Sequence, residues 1–139
     1  LCLRPALIAA AISLVAITPA FAGESTGAWQ CSNPIEIQCG AEDCEVSENF
    51  TAMRIEANTN GALSVCAYSG CWEGNGSVML NRGIFTLTAA DLPFSTSPDS
   101  SNAETFSVTI DQSNGRGTVL GGGFAQPVNC DRNEAELKM

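Results

Sequence analysis

The chain contains no histidine, and its only lysine is Lys138, next to the last residue. Without histidine there is no Ser-His-Asp or Cys-His arrangement, no imidazole acid or base, and none of the commonest transition-metal ligand. A lysine beside the end of the chain is poorly placed for Ser-Lys or Schiff-base chemistry. The sequence therefore predicts a protein that is not an enzyme and that uses no cofactor or metal.

Paired carboxylates are the catalytic route that this composition leaves open, as in glycoside hydrolysis. Glu73 is the best candidate because it follows Trp72, and an aromatic ring beside a carboxylate is a common sugar-binding arrangement. Asp91 or Asp111 would supply the second acid. A carboxylate-dependent, glycan-active enzyme is therefore the less favoured functional alternative.

Basic residues are scarce, since six lysines and arginines stand against 15 acidic residues and the formal net charge is −9. Such a surface repels phosphate backbones and anionic headgroups, so neither nucleic acid nor a membrane surface is an expected partner. The acidic residues are densest at Glu42, Asp43, Glu45 and Glu48. Three interpretations of this segment are open: a solvated loop, a calcium site, or a docking patch for a basic protein. The spacing of the acids does not match that of a calcium loop, so we favour the solvated loop.

Long hydrophobic runs are absent apart from residues 6–17, which follow the single positive charge of Arg4. Small residues at Ala20 and Ala22 complete the layout of a secretory signal peptide over residues 1–22. The run of about a dozen residues is short of the roughly 20 that span a bilayer. We therefore expect a periplasmic or secreted mature domain, residues 23–139, with no membrane span after cleavage.

Cys2 leaves with the signal, so six of the seven cysteines remain. An even number of cysteines in an exported chain predicts three disulfides, although six cysteines permit 15 connectivities. The alternative is a zinc site made from the two close cysteine pairs. We favour disulfides that join Cys66 with Cys71, Cys39 with Cys44, and Cys31 with Cys130.

No window offers an apolar stripe of helical spacing over three turns, whereas alternation with period two recurs between turn residues. Strands are predicted over residues 51–57, 62–68, 84–90, 105–110 and 118–120, and Asn60-Gly61 predicts a hairpin between the first two. The predicted fold is an all-β, single-domain antiparallel meander, either a sandwich or a small partly closed barrel. From Asp131 onward we expect a frayed tail.

Gly27-Ala28-Trp29 resembles the Gly-x-Trp of the first strand in lipocalins, avidins and some small barrel-shaped bacterial protease inhibitors. The resemblance implies a barrel in which Trp29 closes one end and meets a basic residue from a late strand, for which Arg116 is the candidate. Six cysteines and shorter strands separate this chain from those families. The alternative is that Trp29 is an ordinary core aromatic beside Cys31.

The segment from Tyr68 to Gly74 places the only tyrosine and one of two tryptophans on a turn that cysteines constrain. If the turn presents Tyr68, Trp72 and Glu73 to solvent, they form a rigid patch of the kind that anchors interfaces. The predicted function is then an exported binding or inhibitory module whose partner is another protein or an envelope component. If the turn packs inward, the protein is a structural envelope or secreted protein without a small ligand.

Overall fold

The computed structural model describes residues 27–133, which form strands and one short 3-10 segment, Ser100–Asn102. The predicted signal peptide and its predicted cleavage site lie outside the described residues. In chain order, the strands are β1 (Ala28–Ser32), β2 (Glu36–Cys39), β3 (Cys44–Ser47), β4 (Arg54–Asn58), β5 (Ala62–Ala67), β6 (Gly70–Asn75), β7 (Ser77–Asn81), β8 (Ile84–Leu92), β9 (Glu104–Asp111), β10 (Arg116–Gly121) and β11 (Phe124–Asn133).

Nine of these strands form one antiparallel sheet in the order β6-β5-β4-β1-β11-β10-β9-β8-β7, and β2 pairs with β3 alone. The strands at the two ends of this order, β6 and β7, are consecutive stretches of chain separated by Gly76. Because β6 pairs with β5 and β7 pairs with β8, this stretch brings the ends of the sheet together. The prediction of an all-β antiparallel meander is confirmed, and the fold is a nearly closed barrel rather than a sandwich.

Gly76 lies where the shared strand bends, and the space around it excludes a side chain. A Cβ atom on Gly76 would collide with the carbonyl oxygen of Thr88 and lie 2.7 Å from the Cβ of Ala89. The Gly76 N–H donates to the carbonyl oxygen of Gly61 at 2.8 Å, which ties the bend to the β4–β5 turn. Glycine therefore permits the close approach of three chain segments at this point.

The barrel interior is filled by the inward-facing residues of each strand, as the period of two requires. The largest fully buried side chains come from β4, β5, β8, β9 and β10. They are Phe85, Phe106, Ile55, Leu87, Ile110, Val65, Val108 and Val119. Five of these residues come from the alternating positions on which the strands at 84–90 and 105–110 were predicted.

Trp29 is buried in β1 near the β9–β10 turn, since a Cβ atom on Gly115 would lie 3.9 Å from its ring. The basic residue against it is Arg132, whose guanidinium carbon is 5.7 Å from the ring centroid. The expectation of a late-strand arginine at Trp29 is therefore met by a different residue. Arg116 was the wrong candidate because it lies opposite Asn129, and both residues face outward. Arg132 lies directly opposite Trp29 on the adjacent strand.

All three disulfides join the predicted partners, and each links residues that lie directly opposite one another on adjacent strands. Cys31 pairs with Cys130 between β1 and β11, Cys39 with Cys44 between β2 and β3, and Cys66 with Cys71 between β5 and β6. The four cysteines of the zinc alternative are thus bonded to one another as two disulfides. These bonds are consistent with an oxidising extracytoplasmic compartment.

The β2–β3 hairpin was not predicted, and buried polar side chains attach it to the barrel. Gln126 on β11 bonds both backbone groups of Ile37: its Oε1 accepts from the N–H at 2.7 Å, and its Nε2 donates to the carbonyl at 3.2 Å. Glu36 Oε2 accepts from the Thr51 N–H at 2.6 Å, and Asn33 Oδ1 accepts from the Met53 N–H at 2.7 Å. The acidic residues predicted to form a loop therefore lie on a hairpin with exposed side chains.

The last strand shows a further departure from the sequence prediction. β11 runs through Asn133, and residues 131–133 pair with β1. These residues are not a frayed tail, because pairing with the first strand satisfies their backbone hydrogen bonds. The remainder of the predicted tail lies outside the described residues.

Candidate binding groove

The outer surface of β4, β5 and β6 carries three adjoining concavities of about 320, 280 and 210 Å³. The first two share Glu56, Ser64 and Glu73, whereas the first and third share Arg54 and Cys66. Together they form one continuous surface, which we call the outer groove. Its defining residues are Arg54, Glu56, Ser64, Tyr68, Glu73 and the Cys66–Cys71 disulfide.

Alternation along the strands places these residues outside the barrel. On β4, Arg54 and Glu56 alternate with the buried Ile55. On β5, the buried Leu63, Val65 and Ala67 fill the interior, so Ser64 and Cys66 face outward. Because every second residue faces the core, the opposite side of these strands is polar.

The register aligns two carboxylates on either side of a hydroxyl group. Glu56 on β4 lies opposite Ser64 on β5, and Ser64 lies opposite Glu73 on β6. Neighbouring strands are about 5 Å apart, so the backbones that carry the two carboxylates are separated by roughly 10 Å. Ser64 Oγ donates to Glu73 Oε1 at 3.2 Å, which orients one carboxylate along the groove. The space between the acids suits a cationic group.

The next row across the same strands consists of Arg54, Cys66 and Cys71. The disulfide therefore forms part of the groove surface and joins β5 to β6 beside the turn that contains Tyr68. A cross-strand bond next to a two-residue turn limits the motion of both strands. The disulfide thus gives the groove an apolar surface next to Arg54.

Tyr68 is 75% exposed and occupies the turn between β5 and β6. Its φ of +59° is uncommon for a bulky residue, and a hairpin turn of this kind favours Asn, Asp or Gly. The ring centroid lies 6.2 Å from that of Phe124, so one side of the ring rests against the barrel and the remainder faces solvent. A large aromatic side chain is therefore presented at a position whose backbone conformation favours a smaller residue.

Trp72 is placed differently from Tyr68, since it is 8% exposed and faces the core. Its ring centroid is 4.5 Å from that of Phe94 and 5.2 Å from that of Phe106, and its Nε1 donates to the Asn102 carbonyl at 2.9 Å. The interpretation of Tyr68 and Trp72 as one exposed patch does not match this arrangement. Trp72 lies beneath the groove, where it fixes β6 from inside.

Glu73 is the third residue predicted for the site, and it faces the groove. Neither Asp91 nor Asp111, the two acids suggested as its catalytic partner, lines the groove, whereas Glu56 does.

Asp111 instead stabilises the β9–β10 turn, where its Oδ1 accepts hydrogen bonds from the hydroxyl and backbone N–H of Ser113. These two bonds, the hydroxyl bond foremost, hold the pKa of the Asp111 carboxyl below its usual value. Arg54, Glu56 and Ser64 were missed as site residues, although the Asn60-Gly61 turn sets the register that groups them.

Among residues 27–133, no group of three or more Cys, Asp or Glu side chains is arranged to hold a metal ion. No helix in this part of the chain is long and apolar enough to cross a membrane. Comparison with protein-family models, curated proteins and solved structures finds no match to this chain.

Proposed function

We propose that the protein is an exported, non-catalytic binding module whose outer groove takes an extended segment of a partner protein that carries a basic side chain. The periplasm or the extracellular medium is the compartment in which its three disulfides would persist. In this proposal, Tyr68 is the aromatic anchor and the carboxylates of Glu56 and Glu73 receive the basic group.

The observation that carries the proposal is the exposure of Tyr68 in a left-handed backbone conformation on a disulfide-braced turn. Backbone conformations of this kind in bulky residues cluster at binding sites, where the surrounding structure holds them in place. Tyrosine supplies a large contact area with few rotatable bonds, so little entropy is lost when it is covered. The turn thus offers a preformed contact.

Charge supports the choice of a basic partner. The formal net charge of −9 attracts cationic proteins over long range, and the two groove carboxylates set where the cation binds. Association of this kind weakens as salt screens the charges. Arg54, at the middle of the groove, would contact a carbonyl or carboxylate oxygen of the bound segment.

A structural envelope protein without a small ligand is the second candidate, and the burial of Trp72 favours it. Trp72, one of the two aromatic residues at the β5–β6 turn, belongs to the core and not to the surface. The two candidates differ in one property, because only the first requires Tyr68 to be covered by a partner in the native compartment.

Photo-crosslinking from position 68 tests the proposal. A photoreactive phenylalanine analogue replaces Tyr68 in the oxidised, mature protein, and the matched control places it at Leu120, which is 62% exposed on β10 outside the groove. We expect a discrete adduct with one partner from position 68 and none from position 120. Equal labelling from both positions, or none from either, favours the structural candidate.

A binding titration then tests the role of charge. The probe is a short lysine-rich peptide labelled for fluorescence anisotropy, and a neutral peptide of the same length serves as the comparison. Glu73→Gln and Glu56→Gln should each weaken binding of the lysine-rich peptide, whereas Glu45→Gln on the β2–β3 hairpin should have a smaller effect. Equal losses for all three variants would show that net charge, and not the groove, accounts for binding.

A further inference from the structure

One edge of β7 has no strand beside it in the part of the chain that the structure describes. β7 ends the strand order and pairs only with β8. The N–H of Gly76 points toward Gly61, which comes just before β5, and β5 begins opposite Asn75. Backbone groups of successive residues in a strand point alternately to its two sides, so those of Val78 and Leu80 point to the same side as the Gly76 N–H. β5 does not extend far enough to pair with them. They form an open edge.

The side chains of β7 are as accessible as its backbone. Met79 is 66% exposed, Leu80 is 62% exposed and Val78 is 38% exposed. Sheet proteins normally protect such an edge with a lysine, a proline, a bulge or a covering segment. Within Ser77–Asn81 there is no charged residue and no proline. The edge is therefore a template on which another strand can pair.

We propose that this strand is β7 of a second copy, paired antiparallel about a two-fold axis through Met79. In that register, Ser77 of each copy lies opposite Asn81 of the other, and Val78 lies opposite Leu80. Polar residues thus meet polar residues and apolar residues meet apolar ones, because the polarity of Ser-Val-Met-Leu-Asn reads the same in both directions. Val78 and Leu80, the residues with outward backbone groups, become hydrogen-bonded partners across the axis.

The distribution of charge favours a second copy over a basic partner at this edge. Two copies of a chain with net charge −9 repel each other over most of their surfaces. No acidic residue occurs between Glu73 and Asp91, and Arg82 is the only charged residue in that interval. β7 is therefore where two copies approach with little repulsion, whereas a basic partner gains no attraction there.

This inference is independent of the proposed function. None of the residues that line the outer groove lies in β7. Loss of dimerisation would leave peptide binding in the groove intact, and loss of peptide binding would leave the dimer intact, so the two proposals fail separately.

Sedimentation equilibrium of the oxidised, mature protein across a concentration series measures the association. Met79→Lys places like charges opposite each other at the axis, so we expect the dimer dissociation constant to rise about tenfold or more. Leu120→Lys, at an equally exposed position on β10, serves as the control and should change the constant little. Circular dichroism should show that both variants retain the sheet.

Single cysteine variants test the register. Met79→Cys brings two thiols together across the axis and should yield a disulfide-linked dimer under mild oxidation, with the three native disulfides intact by mass spectrometry. Ser77→Cys and Asn81→Cys, each exposed on the same strand, have no thiol opposite them and should remain largely unlinked. A wild-type monomer up to the solubility limit, an unchanged constant for Met79→Lys, or equal linking of the three variants would overturn the proposal.

Discussion

β6 and β7 are two halves of one bent strand, and they differ in what surrounds their backbones. β6 pairs with β5 on one side, and on the other side the chain after β8 continues the pairing, since the Ser95 N–H donates to the Cys71 carbonyl at 2.8 Å. β7 pairs on one side only, and all of its residues are exposed.

The difference indicates how each half would recognise a partner. The second side of β6 is covered at Cys71 and Trp72 by residues 94–95, so outward side chains such as Glu73 provide its contacts. In β7 the backbone itself is available, and uncharged side chains surround it. A single strand can therefore provide a side-chain surface at one end and a strand-pairing edge at the other, with Gly76 as the boundary.

The largest expected effect concerns one large apolar residue in each half, Trp72 in β6 and Leu80 in β7. Trp72→Ala should lower the free energy of unfolding by about 3–5 kcal/mol, because it empties a site packed against Phe94 and Phe106. Leu80→Ala should change it by no more than about 0.5 kcal/mol in the monomer, because Leu80 is already solvated. Urea denaturation of both variants at a concentration where the protein is monomeric measures the contrast. Similar losses would show that β7 is packed in solution.

The next effect concerns the Cys66–Cys71 disulfide, which joins β5 to β6. Replacement of both Cys66 and Cys71 by serine should cost about 2 kcal/mol, the chain-entropy value for a short loop. The same change should weaken peptide binding in the outer groove, because the turn that presents Tyr68 becomes mobile. Serine replacements of Cys39 and Cys44 are the matched control, since they open a loop of the same length outside the groove. Equal binding losses in both double variants would argue against a specific role for the Cys66–Cys71 disulfide in peptide binding.

A smaller effect of opposite sign is expected at Tyr68. Tyr68→Asn should raise the free energy of unfolding by about 0.5 kcal/mol, because asparagine tolerates positive φ in a hairpin turn better than tyrosine. The same variant should bind the groove peptide more weakly. Thermal unfolding and anisotropy on one preparation give both quantities. A variant that is less stable than the wild type would show that contact with Phe124 outweighs the backbone strain.

The smallest effect concerns the turn that contacts the far end of β7 and β8. Gln112 donates its N–H to the Gly83 carbonyl at 2.9 Å, and the neighbouring Asp111 is stabilised as a carboxylate by Ser113. Since folding lowers the pKa of Asp111, its stabilising contribution is present above the unfolded-state value and is lost as pH falls through the folded-state value. An NMR titration should place the midpoint below 3.8, and Ser113→Ala should move it upward. A midpoint unaffected by Ser113→Ala would exclude this cause.

Much of the fold could be predicted because local signals determine it. Alternation in residues 84–90 and 105–110 identified strands with one buried face, and Asn60-Gly61 identified a hairpin. The disulfide pairing that we favoured is the one observed, although sequence alone does not single it out among 15 connectivities. β11 was missed although it is the longest strand, because Pro127 and the preceding glycines are typical of loops. There, pairing with β1 and β10 outweighs local propensity.

The site could be predicted only in part, because the direction in which a residue faces depends on the register of several strands. Tyr68 and Trp72 are four residues apart, and the sequence alone does not show that one is exposed and the other buried. Likewise, Glu56 joins Glu73 through the pairing of three strands, whereas residue type alone does not distinguish Glu56 from Asp91 and Asp111 as the second acid. The β2–β3 hairpin depends on Gln126, which is distant in sequence.

The Cys31–Cys130 disulfide joins the first strand of the barrel to the last across a sequence separation of 99 residues, and both cysteines are buried. A tensile force applied before β1 and after β11 would first separate residues 28–30 from residues 131–133. The force would then pass through one covalent bond and would not load the strands that lie between the two cysteines. A single proteolytic cut between these cysteines would likewise leave the fragments tethered. In mechanical terms, the chain between the two cysteines is a closed loop that load bypasses.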